Sequence, residues 1–298
     1  MTDLPVTEDV DVCIHFTHVV LRHSGGELVE IPYDASTYTD ATDCINNLPS
    51  DQPLSANNAV ALSALQGELT AYLFESEVVT AGDYSWIRLY IDETLSYVID
   101  SEGQKTLTCP SCNSDESGFK LNGGIVVPAG GAADYVIDLD LAKSLNRGPS
   151  GNYRLRPTAR LVDNGETGTV SGSVESALIP AMVSDTDTGC KVYVYEGRGV
   201  VPDDYHETDN VLTSAKVLFD PTFSTSYGYV AAFLPTDSAT DPTPFTAALT
   251  CDVDDTEIDQ NNDPSIETGT DVIFTDGSAE GMGQDFDVST DQSVDVPF

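Results

Sequence analysis

The chain has 298 residues, 12 of them Lys or Arg and 50 Asp or Glu, for a formal charge of −38. A polyanion of this kind lacks the basic surface that a phosphate backbone requires, which excludes nucleic acid as a partner and disfavours an anionic membrane surface. Hydrophobic residues make up 40% of the chain and run along most of it, so it has the apolar content to fold, and its length suits two domains.

Along the chain the pattern is β. Residues 10–21 are apolar and β-branched, and Ser24-Gly25-Gly26 turns them into a second strand at 28–33. A polar stretch rich in Asn, Asp, Ser and Pro follows at 34–58, a long loop. Residues 59–67 are the one plausible short helix, ended by Gly67. Strands are then predicted at 71–74, 84–91, 96–99, 124–127, 133–141 and 153–162, each bounded by Gly, Pro or Asp. Residues 163–168 read as a linker. A second β set is predicted at 170–174, 191–195, 215–219, 227–234, 245–253, 271–274, 285–288 and 294–298. The fold class is therefore all-β: two antiparallel Ig-like or transthyretin-like sandwiches, at 1–166 and 167–298, with at most one short helix.

No run of 18 apolar residues exists, and residues 1–11 lack the basic-then-apolar layout of a secretion signal. Six cysteines point outward nonetheless. Zinc needs four clustered ligands and only Cys109 and Cys112 are close in sequence, so disulfides in an oxidising compartment are favoured. The expected pairs are Cys13–Cys44, Cys109–Cys112 and Cys190–Cys251. The expectation is an exported protein whose signal has been removed, touching a membrane only through a lipid anchor that this sequence lacks.

Several phrases resemble a known family: PAGGAADYVIDLDLAKSL (128–145), YRLRPTARLVDNGETGTVSGSV (153–174), VTAGDYSWIRLYID (79–92) and ALQGELTAYLF (64–74). They are similar to the bacterial lipoprotein family of domain of unknown function 4382. CKVYVYEGRGVVPDD (190–204) and FTAALTCDVDD (245–255) resemble the transthyretin-like, carboxypeptidase-regulatory-like module that often follows it. The resemblance implies an envelope protein built of β-sandwiches and implies no activity. Residues 236–244 depart from that module as a longer Pro/Asp loop.

Among candidate sites, the run Asp252, Asp254, Asp255, Glu257, Asp259 and Asp263 crowds carboxylates that a hard cation would relieve, so calcium is the expected ligand, against a merely solvated acidic face. From 217 to 298 there are 17 acids and no Lys or Arg. Asp203, Asp204, Asp209 and Asn210 form a weaker candidate. Arg154, Arg156 and Arg160 fall in a basic stretch with Lys143 and Arg147; the expectation is cross-strand pairing of Arg154 and Arg156 with Asp138 and Asp140, with an anion or uronate patch as the alternative. His15, His18 and His23 lack the parity for a shared metal site, and Trp86 is assigned to the core. Enzyme signatures such as G-x-S-x-G, H-E-x-x-H and the P-loop are missing, and carboxylates this abundant give no specific catalytic pair. The sequence thus reads as a non-catalytic extracellular or cell-envelope structural or adhesive protein, stabilised by calcium, whose partners are copies of itself or cell-surface proteins and glycans. The alternatives are a filament subunit completed by strand addition from residues 293–298, and a carbohydrate-binding module.

Overall fold

The computed structural model describes residues 2–4, 10–33, 44, 59–65, 67–112, 118–180, 187–202, 211–251 and 283–298. Among these the chain is all-β, and no helix reaches seven residues.

The first body holds β1 (Thr2–Leu4), β2 (Asp11–His23), β3 (Leu28–Pro32), β4 (Ala59–Ala61), β5 (Gly82–Ile91), β6 (Tyr97–Asp100), β7 (Gly103–Thr108), β8 (Phe119–Val127) and β9 (Tyr135–Asp140). A single-turn helix α1 (Leu141–Ser144) leads to β10 (Leu145–Arg147), β11 (Tyr153–Leu155) and β12 (Ala159–Asp163). Its organiser is β2. Residues 11–15 pair with β4 and β6, and residues 16–23 pair with β3 and β5, the register shifting between Phe16 and His18. The sequence carries that shift. Val12, Ile14 and Phe16 face the core on even numbers and Val19 and Leu21 on odd ones, because one extra residue at a bulge reverses the alternation and keeps both sets inside. The resulting sheet runs β10-β11-β7-β6-β2-β5-β8, and a three-stranded sheet β1-β9-β12 packs beside it.

Residues 71–74, expected as a strand, form none, and two further local expectations fail for definite reasons. Residues 59–67 do not form an α-helix: Ala61 and Val60 pair with Cys13 and Ile14 of β2, and only a 3-10 turn, Leu62–Ala64, follows. Strand pairing to a formed neighbour overrides a weak helical preference. The single strand expected at 153–162 is two strands in different sheets, since Pro157 has no N–H to donate and fixes φ between them.

The second body holds β13 (Thr167–Ser173), β14 (Asp187–Glu196), β15 (Val211–Phe219), β16 (Tyr227–Pro235), β17 (Thr243–Thr250), β18 (Gln284–Val288) and β19 (Ser293–Asp295), in the order β18-β17-β14-β15-β16-β13-β19. The two outermost strands are joined by the turn at 289–292, so the sheet curls until it is nearly a barrel. Gly168 and Gly172 make closure possible: a Cβ on Gly168 would stand 2.2 Å from Val288 Cγ1, and one on Gly172 2.1 Å from the Val296 carbonyl.

Each cysteine is paired: Cys13 with Cys44, Cys109 with Cys112 and Cys190 with Cys251. The last pair continues the β14–β17 register, in which Lys191 stands opposite Thr250.

On β14 every residue from Cys190 to Tyr195 is buried. Val192 and Val194 point into the barrel core, while Tyr193 and Tyr195, with Val211 and Ala248, belong to the core of the first body. The two bodies therefore share one apolar joint. Calorimetry of the intact chain is expected to show a single unfolding transition. Replacing Tyr193 and Tyr195 together by Ala, at about 3 kcal/mol or more for each buried ring, is expected to lower the midpoint and split it in two; an unsplit, unshifted transition would show that the joint does not couple the bodies.

Candidate functional site

The acidic run from Asp252 to Asp263 lies outside the described residues, as do Asp203, Asp204, Asp209 and Asn210. Among the described residues no three His, Cys, Asp or Glu side chains gather as a metal site. The histidines stand apart: His18 stacks on Tyr90 with ring centroids 4.2 Å apart, while His23 meets Tyr84 edge-on and accepts the Gly25 N–H through Nδ1. The loop at 236–242 is closed by its own hydroxyls, Ser238 Oγ accepting from the N–H groups of Thr240 and Asp241. Among the described residues no tyrosines cluster on the surface beside it; Tyr72, the exposed one, belongs to another segment. Residues 293–298 are committed to their own barrel: β19 lies parallel to β13, and the Val296 and Phe298 N–H groups donate to the carbonyls of Ser171 and Ser173. Lending this strand to another copy requires opening that edge.

The basic stretch 143–160 is dispersed into structural contacts. Asp138 pairs with Arg160, Nε to Oδ2 at 2.7 Å, and Asp140 lies 3.9 Å from Lys143 while capping α1 through the Lys143 N–H. The expectation for Asp138 is thus corrected: its partner is Arg160 rather than Arg154 or Arg156, because Pro157 moves Arg160 onto β12, directly opposite Asp138. Arg154 is exposed on β11, in a different sheet from Arg160 on β12, and Arg156 lies between the two strands. Arg147 reaches Glu102 at 3.0 Å and Asp100 at 3.5 Å, Lys105 reaches Glu102 at 2.9 Å, and the Tyr153 hydroxyl donates to Asp100 at 3.1 Å. This knot ties the β6–β7 hairpin to β10 and β11.

A cavity of about 770 Å³ opens between residues 68–79 and the β8–β9 connection. Leu21, Ile87, Ile125 and Ile137 line it, and Phe233 reaches it from the second body, its φ of 57° placing an aromatic residue at a β16 irregularity. The volume suits a small apolar molecule. Glu68, Glu75, Glu77 and Asp134 are the charged residues of its lining.

The outer face of the main sheet is different in character. Cross-strand register places Arg22, Trp86 and Asn122 in one row over β2, β5 and β8, and Val20, Arg88 and Lys120 in the next. Trp86 is on this face, not in the core as its strand position suggested. The Arg88 guanidinium carbon lies 4.6 Å and the Lys120 ammonium 5.6 Å from the Trp86 ring centroid. A signal for this was present in the sequence: Ile87, Leu89 and Ile91 claim one face of the strand, and Arg88 shares parity with Trp86 on the other.

Residues 1–157 match the family described as domain of unknown function (DUF4382). The chain belongs to this family. The DUF4382 match ends at Pro157, where the backbone leaves the main sheet; β12 and the whole barrel lie beyond it. Among solved structures, a "putative cell adhesion protein" of Bacteroides fragilis NCTC 9343 is similar at 7% identity and a TM-score of 0.19, over 97% of this chain and 79% of that one, a likeness too faint to carry an argument. No curated protein matches the chain.

Four described carboxyls of this DUF4382 chain sit below their ordinary range. Asp92 is held down chiefly by the Thr94 hydroxyl, Glu102 by the hydrogen bond and charge of Lys105, Asp220 by the Thr222 N–H and hydroxyl, and Asp285 by the Gly199 N–H and the Thr246 hydroxyl. A carboxyl with a lowered folded pKa stabilises the fold above its unfolded value, and that contribution disappears as pH falls through the folded value. The melting temperature is accordingly expected to drop below about pH 4, and Asp92→Asn with Asp285→Asn to flatten the drop; an unaltered acid limb in the double variant would remove these groups as its cause.

Proposed function

We propose that the protein is a non-catalytic structural or adhesive component of the bacterial envelope or exterior. One observation carries this reading: all six cysteines are joined in three disulfides within a β-rich chain, a chemistry that persists in oxidising compartments and not in the reducing cytosol. The shared joint at Tyr193 and Tyr195 fits a rigid part rather than a hinged enzyme. The described carboxylates that make ion pairs, turns and caps hold the fold together, which supports a structural role for them.

The reading extends to a lipid anchor and to a transthyretin-like descent for the barrel, both supported by sequence resemblance. It also assigns calcium to the run Asp252–Asp263, where repulsion among six carboxylates favours a hard cation. Partners are copies of the chain or cell-surface proteins and glycans.

Fractionation of the native host with thiol counting tests the compartment. The chain is expected outside the cytoplasm with no titratable thiol; a reduced, cytosolic pool would overturn the reading. Replacing Cys190 and Cys251 by Ala is expected to cost about 2–5 kcal/mol of stability. Chelation is expected to lower the melting temperature of the wild-type protein, restored by calcium and not by sodium chloride at equal ionic strength; one curve under all conditions would remove the metal from the account.

A further inference from the structure

The cavity beside the β8–β9 connection has a floor and a rim of opposite character. Leu21, Ile87, Ile125 and Ile137 are buried and form its floor, whereas Glu68, Glu75, Glu77 and Asp134 are exposed and stand at its mouth. The described lining holds no Lys, Arg or His. None of the four carboxylates makes an ion pair with a described residue. Neutral groups hold two of them: the Asn164 amide donates to Asp134 at 2.8 Å and the Thr169 hydroxyl to Glu68 at 3.4 Å. Unpaired acids are ordinary on a chain of charge −38; these four are set apart by the apolar floor beside them.

The backbone at Phe233 is shaped toward this cavity. Gly168 and Val170 of β13 stand opposite Leu234 and Ala231 of β16, so Ala232 and Phe233 together oppose Thr169, a bulge of one extra residue. Tyr229 and Ala231 face the barrel core before the bulge, and Leu234 faces it afterwards. The extra residue lets Phe233 turn out of the barrel and into the cavity wall. Its φ of 57° lies in the left-handed region, which glycine adopts freely and an aromatic residue does not. Strain of this kind persists only where the surroundings over-determine it, and it clusters at ligand clamps. Ser76, also with a φ of 57°, is a second such residue in the same lining. Tyr72, Phe74 and Tyr135 complete the aromatic part of the wall, and the Tyr135 hydroxyl accepts the Val126 N–H at 2.9 Å, which fixes its ring.

We propose that this cavity binds a small cationic amphiphile, an organic ammonium carried on an apolar body. The apolar body covers the buried floor, and a volume of about 770 Å³ is that of a small-molecule site. The head group meets the rim carboxylates and the faces of the partly exposed rings Tyr72, Phe74, Tyr135 and Phe233. Carboxylates beside aromatic rings are the surroundings that attract a quaternary ammonium, which is weakly hydrated and has no N–H to satisfy. The sign of the ligand follows from the same residues. A carboxylate or phosphate head would be repelled by four unpaired acids, and a neutral head would leave their attraction unused. This inference goes beyond the structural and adhesive reading and does not depend on it.

The experiment is isothermal titration calorimetry of the full chain with octyltrimethylammonium, 1-octanol, octanoate and tetramethylammonium, at about 0.15 and 1 M sodium chloride. Octyltrimethylammonium is expected to bind at one saturable site at both salt concentrations, and octanol about tenfold more weakly. Octanoate and tetramethylammonium are expected not to bind. Phe233→Gly is expected to weaken octyltrimethylammonium about tenfold without lowering the melting temperature, because glycine relieves the backbone at that position. Glu75→Gln with Glu77→Gln is expected to weaken the ammonium about threefold to tenfold and to leave octanol unchanged. Glu30→Gln, exposed on β3 in the row of Val20 and so on the face away from Leu21, is expected to change neither. Many-site binding that disappears at the higher salt marks only diffuse attraction to an acidic surface and overturns the proposal. Octanoate binding as tightly as the ammonium, or a Phe233→Gly variant that melts lower and binds as before, overturns it as well.

Discussion

Strand β14 is the constraint on which the rest depends. A strand in a sheet normally has one dry face, and its sequence alternates accordingly; β14 has two, so Cys190 to Tyr195 is buried without a break. The two faces differ in kind. Small β-branched Val192 and Val194 fit the narrow interior of a curled sheet, while Tyr193 and Tyr195 fill the space between bodies with large rings and keep a polar end for their hydroxyls. The Cys190–Cys251 bond fastens this strand to β17 where its register with that neighbour begins. Once β14 is held on both sides, the orientation of the barrel on the first body follows.

The strands were legible because their signals are local: alternation, β-branching, and Gly, Pro or Asp at the ends. What needed the fold was anything decided by a neighbour. Ala59 to Ala61 has helical composition and becomes a strand because β2 offers unsatisfied backbone groups at Cys13 and Ile14. The basic stretch looked like one patch because its residues are close in sequence, yet Pro157 sends Arg154 and Arg160 into separate sheets. That proline was readable, and its effect on the charges could have been anticipated; the partner strand of β12 could not. A continuous apolar run on β14 announces double burial without saying what lies on the second side.

The distribution of cations follows from the same logic. A sheet protein with this many carboxylates is under mutual repulsion, which net charge far from zero imposes on any compact state. Cations relieve it most where they are partly desolvated and reach two acids at once, as Arg147 does between Asp100 and Glu102, or where they meet a buried acid, as Arg160 meets Asp138. In the barrel Arg198 bonds Asp287 beside the hydroxyl and backbone contacts of Asp285, joining the 197–200 loop to β18. These positions are joints between elements, and their charges hold parts together rather than present them.

Around Trp86 two cations also meet an aromatic ring. Arg88 and Lys120 stand directly opposite one another across β5 and β8, and both heads lie beside the indole, whose π face attracts them and offsets part of the repulsion between like charges placed side by side. Core and outer face are coupled here through one strand, since the parity that buries Ile87 and Leu89 in the core puts Trp86 and Arg88 on the opposite face.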